Sequence, residues 1–381
     1  MPDKHSNFHT YLGYLIIKDT VRSTTVPSIN ILHQAGINVI MITGDNIDTA
    51  TSIAKETGII TGKNDLALTS KEFNNLSDEE ISTLYSRIKV IARSLPKDKS
   101  RMVKILQNMD LIVGMTGDGI NDAGALKTAD VGFAMGSGTE VAKEASDIII
   151  LDDNIKSITK AILFGRTIFK SIRRFIIFQL TVNICAMLMA ILGPIFDITT
   201  PVTVIQMLWI NMIMDTLAGI AFASEPPLEE YMLESPKTKA VPIINSYMFK
   251  EILFTGLYTS LLGIFFLKSN FIYSFIRYSN DYRYLYTAYF AFFIFSALFN
   301  ALNARTTRLN ILANISKNQP FIFIFAGITI VQIYLIYYGG DLFRTYGLTV
   351  KELLFVILLS LSVIPFDWLR KLLISKDSKK L

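Results

Sequence analysis

The sequence predicts an α/β domain built on parallel β-structure, followed from about residue 170 by an all-α bundle of six transmembrane helices. Three observations lead there. Before residue 170, short apolar runs alternate with amphipathic stretches. After it, nearly uncharged apolar runs approach 20 residues each. Of the 381 residues, 51% are apolar and only 18% charged, against the roughly 25% charged that soluble domains average, so a purely soluble or disordered chain is excluded.

In the first part, residues 11–17, 37–43, 89–93, 111–116, 131–135 and 147–151 read as buried strands, with helical patterns at 25–34, 46–56 and 97–108 between them. Strands that alternate with helices pair in parallel, and such sheets bind ligands beyond the carboxyl ends of their strands. In the second part, 175–196 and 284–304 contain no charge, 318–340 none, and 201–224 only Asp215. The runs at 252–267 and 353–366 are shorter and extend into amphipathic flanks. A run near 20 residues spans a bilayer, though each also fits a buried helix of a soluble protein. Six spans are expected, at 175–196, 201–223, 249–268, 284–304, 319–338 and 350–370. Lys170, Arg173 and Arg174, then Lys237, Lys239 and Lys250, then Arg305, Arg308 and Lys317, and finally Arg370, Lys371, Lys376, Lys379 and Lys380 mark inner loops. Both termini are then cytoplasmic, although Lys268, Arg277 and Arg283 in an outer loop run against the bias.

The formal charge of +5 is what inner loops of a membrane protein supply, and no nucleic-acid partner is read from it. One cysteine, Cys185, excludes a disulfide framework and reads as an ordinary packed helix residue. Three histidines, His5, His9 and His33, leave no Cys/His cluster for zinc, so any metal must be held by oxygen. Residues 1–10 lack the apolar core of a signal peptide.

Three segments point to chemistry. Thr43-Gly44-Asp45-Asn46 follows an apolar strand and opens a helix, placing a hydroxyl and free N–H groups where an anion binds; taken alone, an ordinary N-cap accounts for it better. Met115-Thr116-Gly117-Asp118-Gly119-Ile120-Asn121-Asp122 also follows a strand, and its two carboxylates four residues apart suit a hard Mg²⁺ ion. Pro96-Lys97-Asp98-Lys99 lies between them, where Lys99 either reaches a phosphoryl group or is a solvated helix start. Hydroxyl, lysine and paired aspartates in this order are the parts phosphoryl transfer requires. In the membrane half, Asp215 is the sole ionisable residue of its run, and an uncompensated charge there costs on the order of 2.5–3.5 kcal/mol, which argues for function. Asn211 lies four residues before it, on the same face of a regular helix. Asn183 is mid-span in the preceding helix. These three are hard oxygen ligands suited to Ca²⁺ but too few for its six to eight positions. Interhelical hydrogen bonding is the alternative for the asparagines.

These residues carry a family resemblance. The series Thr43-Gly44-Asp45, Lys99, Thr116-Gly117-Asp118-Gly119-Ile120-Asn121-Asp122, Ala134-Met135-Gly136-Ser137-Gly138-Thr139 and Leu151-Asp152-Asp153-Asn154 resembles the phosphorylation domain of P-type cation-transporting ATPases. In the membrane half, the run from Gln206 to Thr216 and Ser224-Glu225-Pro226-Pro227 look like the sixth membrane helix of calcium pumps and its exit. The resemblance runs from about Tyr11 to Leu373 and is greatest to the plasma-membrane type. It implies a haloacid-dehalogenase-like fold, partial here, in which Asp118 and Asp122 help hold Mg²⁺, Thr43 (with Gly44 and Asp45 in its loop) and Asn121 contact the phosphoryl group, and Lys99 neutralises it. Asp19 and Arg22 match an Asp-x-x-Arg element of the ATP-binding side. Asn183, Asn211 and Asp215 would hold the transported Ca²⁺. On this reading residues 1–154 are the rear of the phosphorylation domain, 155–174 a stalk helix, 175–373 the membrane domain and 374–381 a short basic tail.

The Asp-Lys-Thr-Gly-Thr motif on which such pumps form an aspartyl phosphate, the Thr-Gly-Glu loop and the proline-broken cation-site helix are absent from this sequence. The expectation is therefore a carboxyl-terminal pump portion that is inactive alone and works with an amino-terminal partner half, in the same or a separate chain. The alternative is a non-catalytic membrane-anchored fragment or a binding partner of an intact pump; an independent phosphatase is disfavoured by the missing nucleophile. Gly124 stands where the family usually has proline, which loosens a helix start. Ala186 and Met214 stand where two-site pumps have an acid and a threonine, so one calcium per cycle is expected. The tail is too short for a calmodulin target of about 20 residues, so membrane lipid is the expected contact there.

Overall fold

The computed structural model describes residues 20–198, 201–277, 279–280 and 282–374. The expected strand at 11–17, Asp19 and the basic tail lie outside the described residues. The chain divides into two compact units, residues 1–161 with 232–239, and residues 162–231 with 240–381.

The first unit contains α1 (Thr25–Gln34), β1 (Met41–Ile42), α2 (Ile47–Thr57), β2 (Leu66–Thr69), α3 (Ser70–Asn75), α4 (Asp78–Leu84), β3 (Ile88–Ala92), α5 (Pro96–Asn108), β4 (Gly114–Gly117), α6 (Ala123–Thr128), β5 (Val131–Met135), α7 (Glu140–Glu144) and β6 (Ile148–Ile150). All described strand pairs are parallel, as the alternation with helices demands, but they form two three-stranded sheets, ordered β1-β3-β2 and β4-β5-β6. Ile88, Val90, Ile91 and Ala92 make β3 the buried centre of the first sheet. Phe73, Ile81, Met102 and Ile105 from α3, α4 and α5 close over it. Sequence reading passed over β2, α3 and α4. Both helices nevertheless open with capping boxes, Thr69 with Glu72 and Ser77 with Glu80, in which each side chain satisfies the other residue's backbone N–H.

Among the described residues, the second unit is built on six helices long and apolar enough to cross a membrane. The stalk and first span expected at 155–174 and 175–196 are one continuous helix, α8 (Ile155–Ile195). The second span is α9 (Val204–Leu208), a π-helical turn (Trp209–Met214) and α10 (Asp215–Ala223). Then come α11 (Ser246–Lys268), the short α12 (Asn270–Tyr273), α13 (Arg283–Arg305), α14 (Gln319–Tyr338), the short α15 (Gly340–Phe343), and α16 (Val350–Ser360) with α17 (Val363–Ile374), which together make the sixth span. Within its apolar window α13 is 83% buried, against 22–56% for the other five, so the bundle is assembled around it.

Apart from Asp215, the buried acids among the described residues of this unit are paired, as a low-dielectric interior requires. Arg370 bridges Asp367 at 2.7 Å and Glu251 at 3.2 Å, and Lys371 meets Asp367 at 2.7 Å. Lys371 also donates to the carbonyls of Asn303 and Thr306, at 3.2 and 2.8 Å, satisfying the end of α13. All four charged groups are buried. Arg370→Met, which strands two buried carboxylates with one cation, should cost about 3–5 kcal/mol. It should thereby lower the thermal midpoint of the detergent-solubilised chain, and adding Glu251→Gln should recover part of the loss. A single variant as stable as wild type would show that the network is not structural.

Candidate functional site

The loop after β4 is shaped by one carboxylate. Asp122, 6% exposed, accepts through Oδ2 from the backbone N–H groups of Asp118 and Gly119, both at 3.2 Å, and through Oδ1 from Lys99 Nζ at 2.5 Å. This approach needs glycine at 117, since a Cβ there would lie 2.7 Å from Asp122 Cγ. The loop at 136–139 closes from the other side: Thr139 N donates to Asp118 O at 2.8 Å, and a Cβ on Gly138 would lie 2.9 Å from that oxygen. The backbone of Asp118 is thus held from both sides, while its residue and Asn121 are exposed beyond the strand end.

Lys99 is placed by its neighbour. Asp98, fully buried, accepts from Leu95 N at 2.8 Å, Ser70 Oγ at 2.6 Å and Asn74 Nδ2 at 2.8 Å, tying the first turn of α5 to α3. Burial works against the charged carboxyl, but these hydrogen bonds outweigh it and hold Asp98 below the usual carboxylate range. Sequence reading assigned Asp98 no role. Its signal was an acid at the third position of a Pro-initiated helix, the N3 place from which a carboxylate reaches back to the cap.

Thr43, Gly44 and Asp45 form a turn at the end of β1. Thr43 N donates to Ile91 O and Ser94 N to Thr43 O, both at 2.9 Å, while the Thr43 hydroxyl donates to Asp45 Oδ2 at 2.9 Å. Asn46 caps α2 by accepting from Thr49 N at 2.9 Å. Arg22 is engaged elsewhere, donating from Nη1 to the carbonyls of Asp153 at 2.9 Å and Asp152 at 3.3 Å. Asp153 Oδ1 accepts from Ser137 N at 3.1 Å, and hydrogen bonds from Ser137 hold that carboxyl below its ordinary range. The 151–154 motif therefore joins Arg22 to the loop that closes on Asp118.

In the membrane unit, Asp215 is 3% exposed and neither of its carboxylate oxygens has a partner. The other buried acids of this unit all do: Glu225 with Arg305 and Arg174, Glu251 and Asp367 with Arg370, Glu352 with Arg277. Asn183 and Asn211 are exposed. Residues 209–214, which include Asn211 and end just before Asp215, wind as a π turn, in which a hydrogen bond closes over five residues rather than four. Such turns are frequent at functional sites. Ala186 is half-buried and Met214 fully buried. Cys185 is buried. No cluster of three or more His, Cys, Asp or Glu side chains gathers among the described residues.

A parallel α/β unit with an Asp-bearing loop at a strand end, joined in one chain to six apolar helices, defines a haloacid-dehalogenase-like domain fused to a multi-pass membrane domain. Comparison with known proteins agrees. A family model described as haloacid dehalogenase-like hydrolase matches residues 2–130, and a second with the same description matches 100–162. A model described as cation transporting ATPase, C-terminus, matches 199–373. Calcium-transporting ATPase 2 of Schizosaccharomyces pombe is 39% identical over 340 residues, 88% of this chain and 26% of that protein. Calcium-transporting ATPase 3, plasma membrane-type, of Oryza sativa subsp. japonica is 38% identical over 376 residues, 98% of this chain and 36% of that protein. Human plasma membrane calcium-transporting ATPase 1 is 38% identical over 378 residues, 93% of this chain and 31% of that protein. The chain belongs to the calcium-transporting P-type ATPase family. It spans between a quarter and little more than a third of the length of the curated relatives it matches.

Because the folded-state pKa of Asp98 is depressed, its contribution to stability is present above the ordinary value and lost as pH falls through the folded value. Asp98→Ala should lower stability by about 2 kcal/mol at neutral pH, since buried donors lose their acceptor. The gap between wild type and variant should shrink below about pH 4. Thermal unfolding across pH measures it, and a gap independent of pH would contradict the assignment.

Proposed function

We propose that this chain is the rear of the phosphorylation domain and the last six membrane helices of an ATP-driven calcium pump, acting with a polypeptide region that supplies the aspartyl nucleophile. The observation that supports it best is the unpaired, buried Asp215 in a unit where every other buried acid has a cationic partner among the described residues. A membrane protein tolerates such a group where a transported cation completes it.

In this reading Asp215 is the anionic ligand of the transported calcium. Asn183 and Asn211 supply amide oxygens, and their exposure leaves them open to ligands from further helices. Ala186 and Met214 cannot coordinate, so one ion is carried per cycle. In the other unit, the donor set fits Mg²⁺, a hard ion that takes oxygen ligands and would neutralise phosphoryl charge. Asp118 has the exposed carboxylate to ligate it. Asp122, already engaged by Lys99 and two backbone N–H groups, helps hold the site by fixing the loop and the lysine. Lys99, Thr43 and Asn121 serve the phosphoryl oxygens, Gly44 and Asp45 shape the turn that presents Thr43, and Asp19 and Arg22 lie on the ATP side. Both termini are cytoplasmic, and the plasma membrane is the favoured location.

Three outcomes follow for phosphorylation and binding. The purified chain alone should take no label from γ-labelled ATP; a hydroxylamine-sensitive phosphoprotein would refute the dependence on a partner region. In a complete pump carrying this segment, Asp118→Asn should abolish phosphorylation from ATP, and wild-type turnover would sink the Mg²⁺ assignment. In the same pump Asp215→Asn should eliminate calcium-activated phosphorylation, and ⁴⁵Ca²⁺ binding to wild type should saturate near one ion with a Hill coefficient of about 1. Two ions bound cooperatively would overturn the single-site reading.

A further inference from the structure

On the face of α8 turned away from Asn183, the membrane unit has a half-open cavity of about 20 Å³. Its polar lining comes from Thr181 and Cys185 of α8, Thr259 of α11, and Ser296 and Asn300 of α13, all buried. Thr181 and Cys185 each stand two positions from Asn183, roughly 200° around a helix, so the cavity is separate from the candidate cation ligands.

The cavity has the size and chemistry of a site for one water molecule. A water needs on the order of 10–15 Å³ and two to four polar partners. Asn300 Nδ2 and Ser296 Oγ are buried with no partner. The hydroxyls of Thr181 and Thr259 donate to the carbonyls of Ile177 at 2.7 Å and Thr255 at 2.8 Å, which leaves their oxygens free to accept. Donors on one helix and acceptors on the other two match the two lone pairs and two protons of water. A dry void would leave an amide and a hydroxyl unsatisfied, at about 1–3 kcal/mol each. A bare cation does not suit a wall that presents amide protons and no carboxylate.

We propose that this cavity holds one ordered water that joins α8, α11 and α13. It is the inner end of a hydrated polar file. One turn along from Thr259 and Asn300, Thr255 Oγ1 and Asn303 Oδ1 are also buried without partners. They lie on the side of Glu251 and Lys371, so the unpartnered atoms lead from the cavity to the Glu251, Asp367, Arg370 and Lys371 ion cluster.

Cys185 is the chain's sole cysteine, so its S–H stretch is one infrared band from the cavity wall. With the full chain in lipid nanodiscs moved into D₂O, that band should convert to S–D at least about tenfold faster than the slowest backbone amides of the bundle. Cys185→Ala assigns the band by removing it. Ser296→Val with Asn300→Leu fills the cavity with apolar groups and should slow the exchange at least about tenfold. Should that double variant fail to fold, the wild-type rate decides alone. Wild-type exchange as slow as those amides, or a rate unchanged in the folded double variant, would overturn the proposal.

Discussion

The carboxylate of Asp122 is the constraint on which the geometry of the first unit's candidate site depends. One side chain takes the Lys99 ammonium on one oxygen and two loop N–H groups on the other, so it sets the curvature after β4 and the position of the cation together. Glycine at 117 gives it room, and the 136–139 loop locks the backbone of Asp118 from the opposite side. Asp98 does for the start of α5 what Asp122 does for the β4 loop. Asp118, Lys99 and Thr43 are thereby presented by backbone segments tied down by their own hydrogen bonds. Preorganisation of this kind lets a site stabilise developing charge without rearranging.

The membrane unit applies the opposite rule, with one exception. Its buried acids are neutralised by arginine or lysine, so their placement is structural, and Glu225 shows how far that goes. It lies just beyond α10 and meets Arg305 at the end of α13, Arg174 of α8 and Asn318 at the start of α14. Asp215 breaks the rule one residue after a π turn that itself breaks the helix. Two local departures from the favoured state at one place are what a functional site looks like when the rest of the fold supplies the stability.

Much of this was legible in the sequence. The strand at 131–135 and the helix at 25–34 stand where the pattern places them, because each is a contiguous run with its own boundary signals. The six apolar runs correspond to six helices, since bilayer thickness leaves length and composition little freedom. Other features were not legible. The strand expected at 37–43 is only Met41–Ile42, which among the described residues pairs on one side alone, with β3. Leu66–Thr69 is too short for its periodicity to register. The stalk expected at 155–174 and the span expected at 175–196 run on as one helix, α8, since charge marks where a helix meets solvent, not where it ends. The π turn has no sequence period at all. Among the site residues, the sequence could pair Asp118 with Asp122 but could not say that one is exposed while the other is consumed by Lys99 and the loop.

What joins the two units functionally is the claim that calcium held through Asp215 controls phosphoryl chemistry at the loop of Asp118. The most direct measurement is reconstitution from two polypeptides: this chain co-expressed with a separate amino-terminal portion of a plasma-membrane-type pump that carries the Asp-Lys-Thr-Gly-Thr motif. The account predicts that label from γ-labelled ATP appears on the amino-terminal polypeptide, only when both chains are present and only with calcium. Co-purified chains that take no label, or that take it equally without calcium, would contradict it.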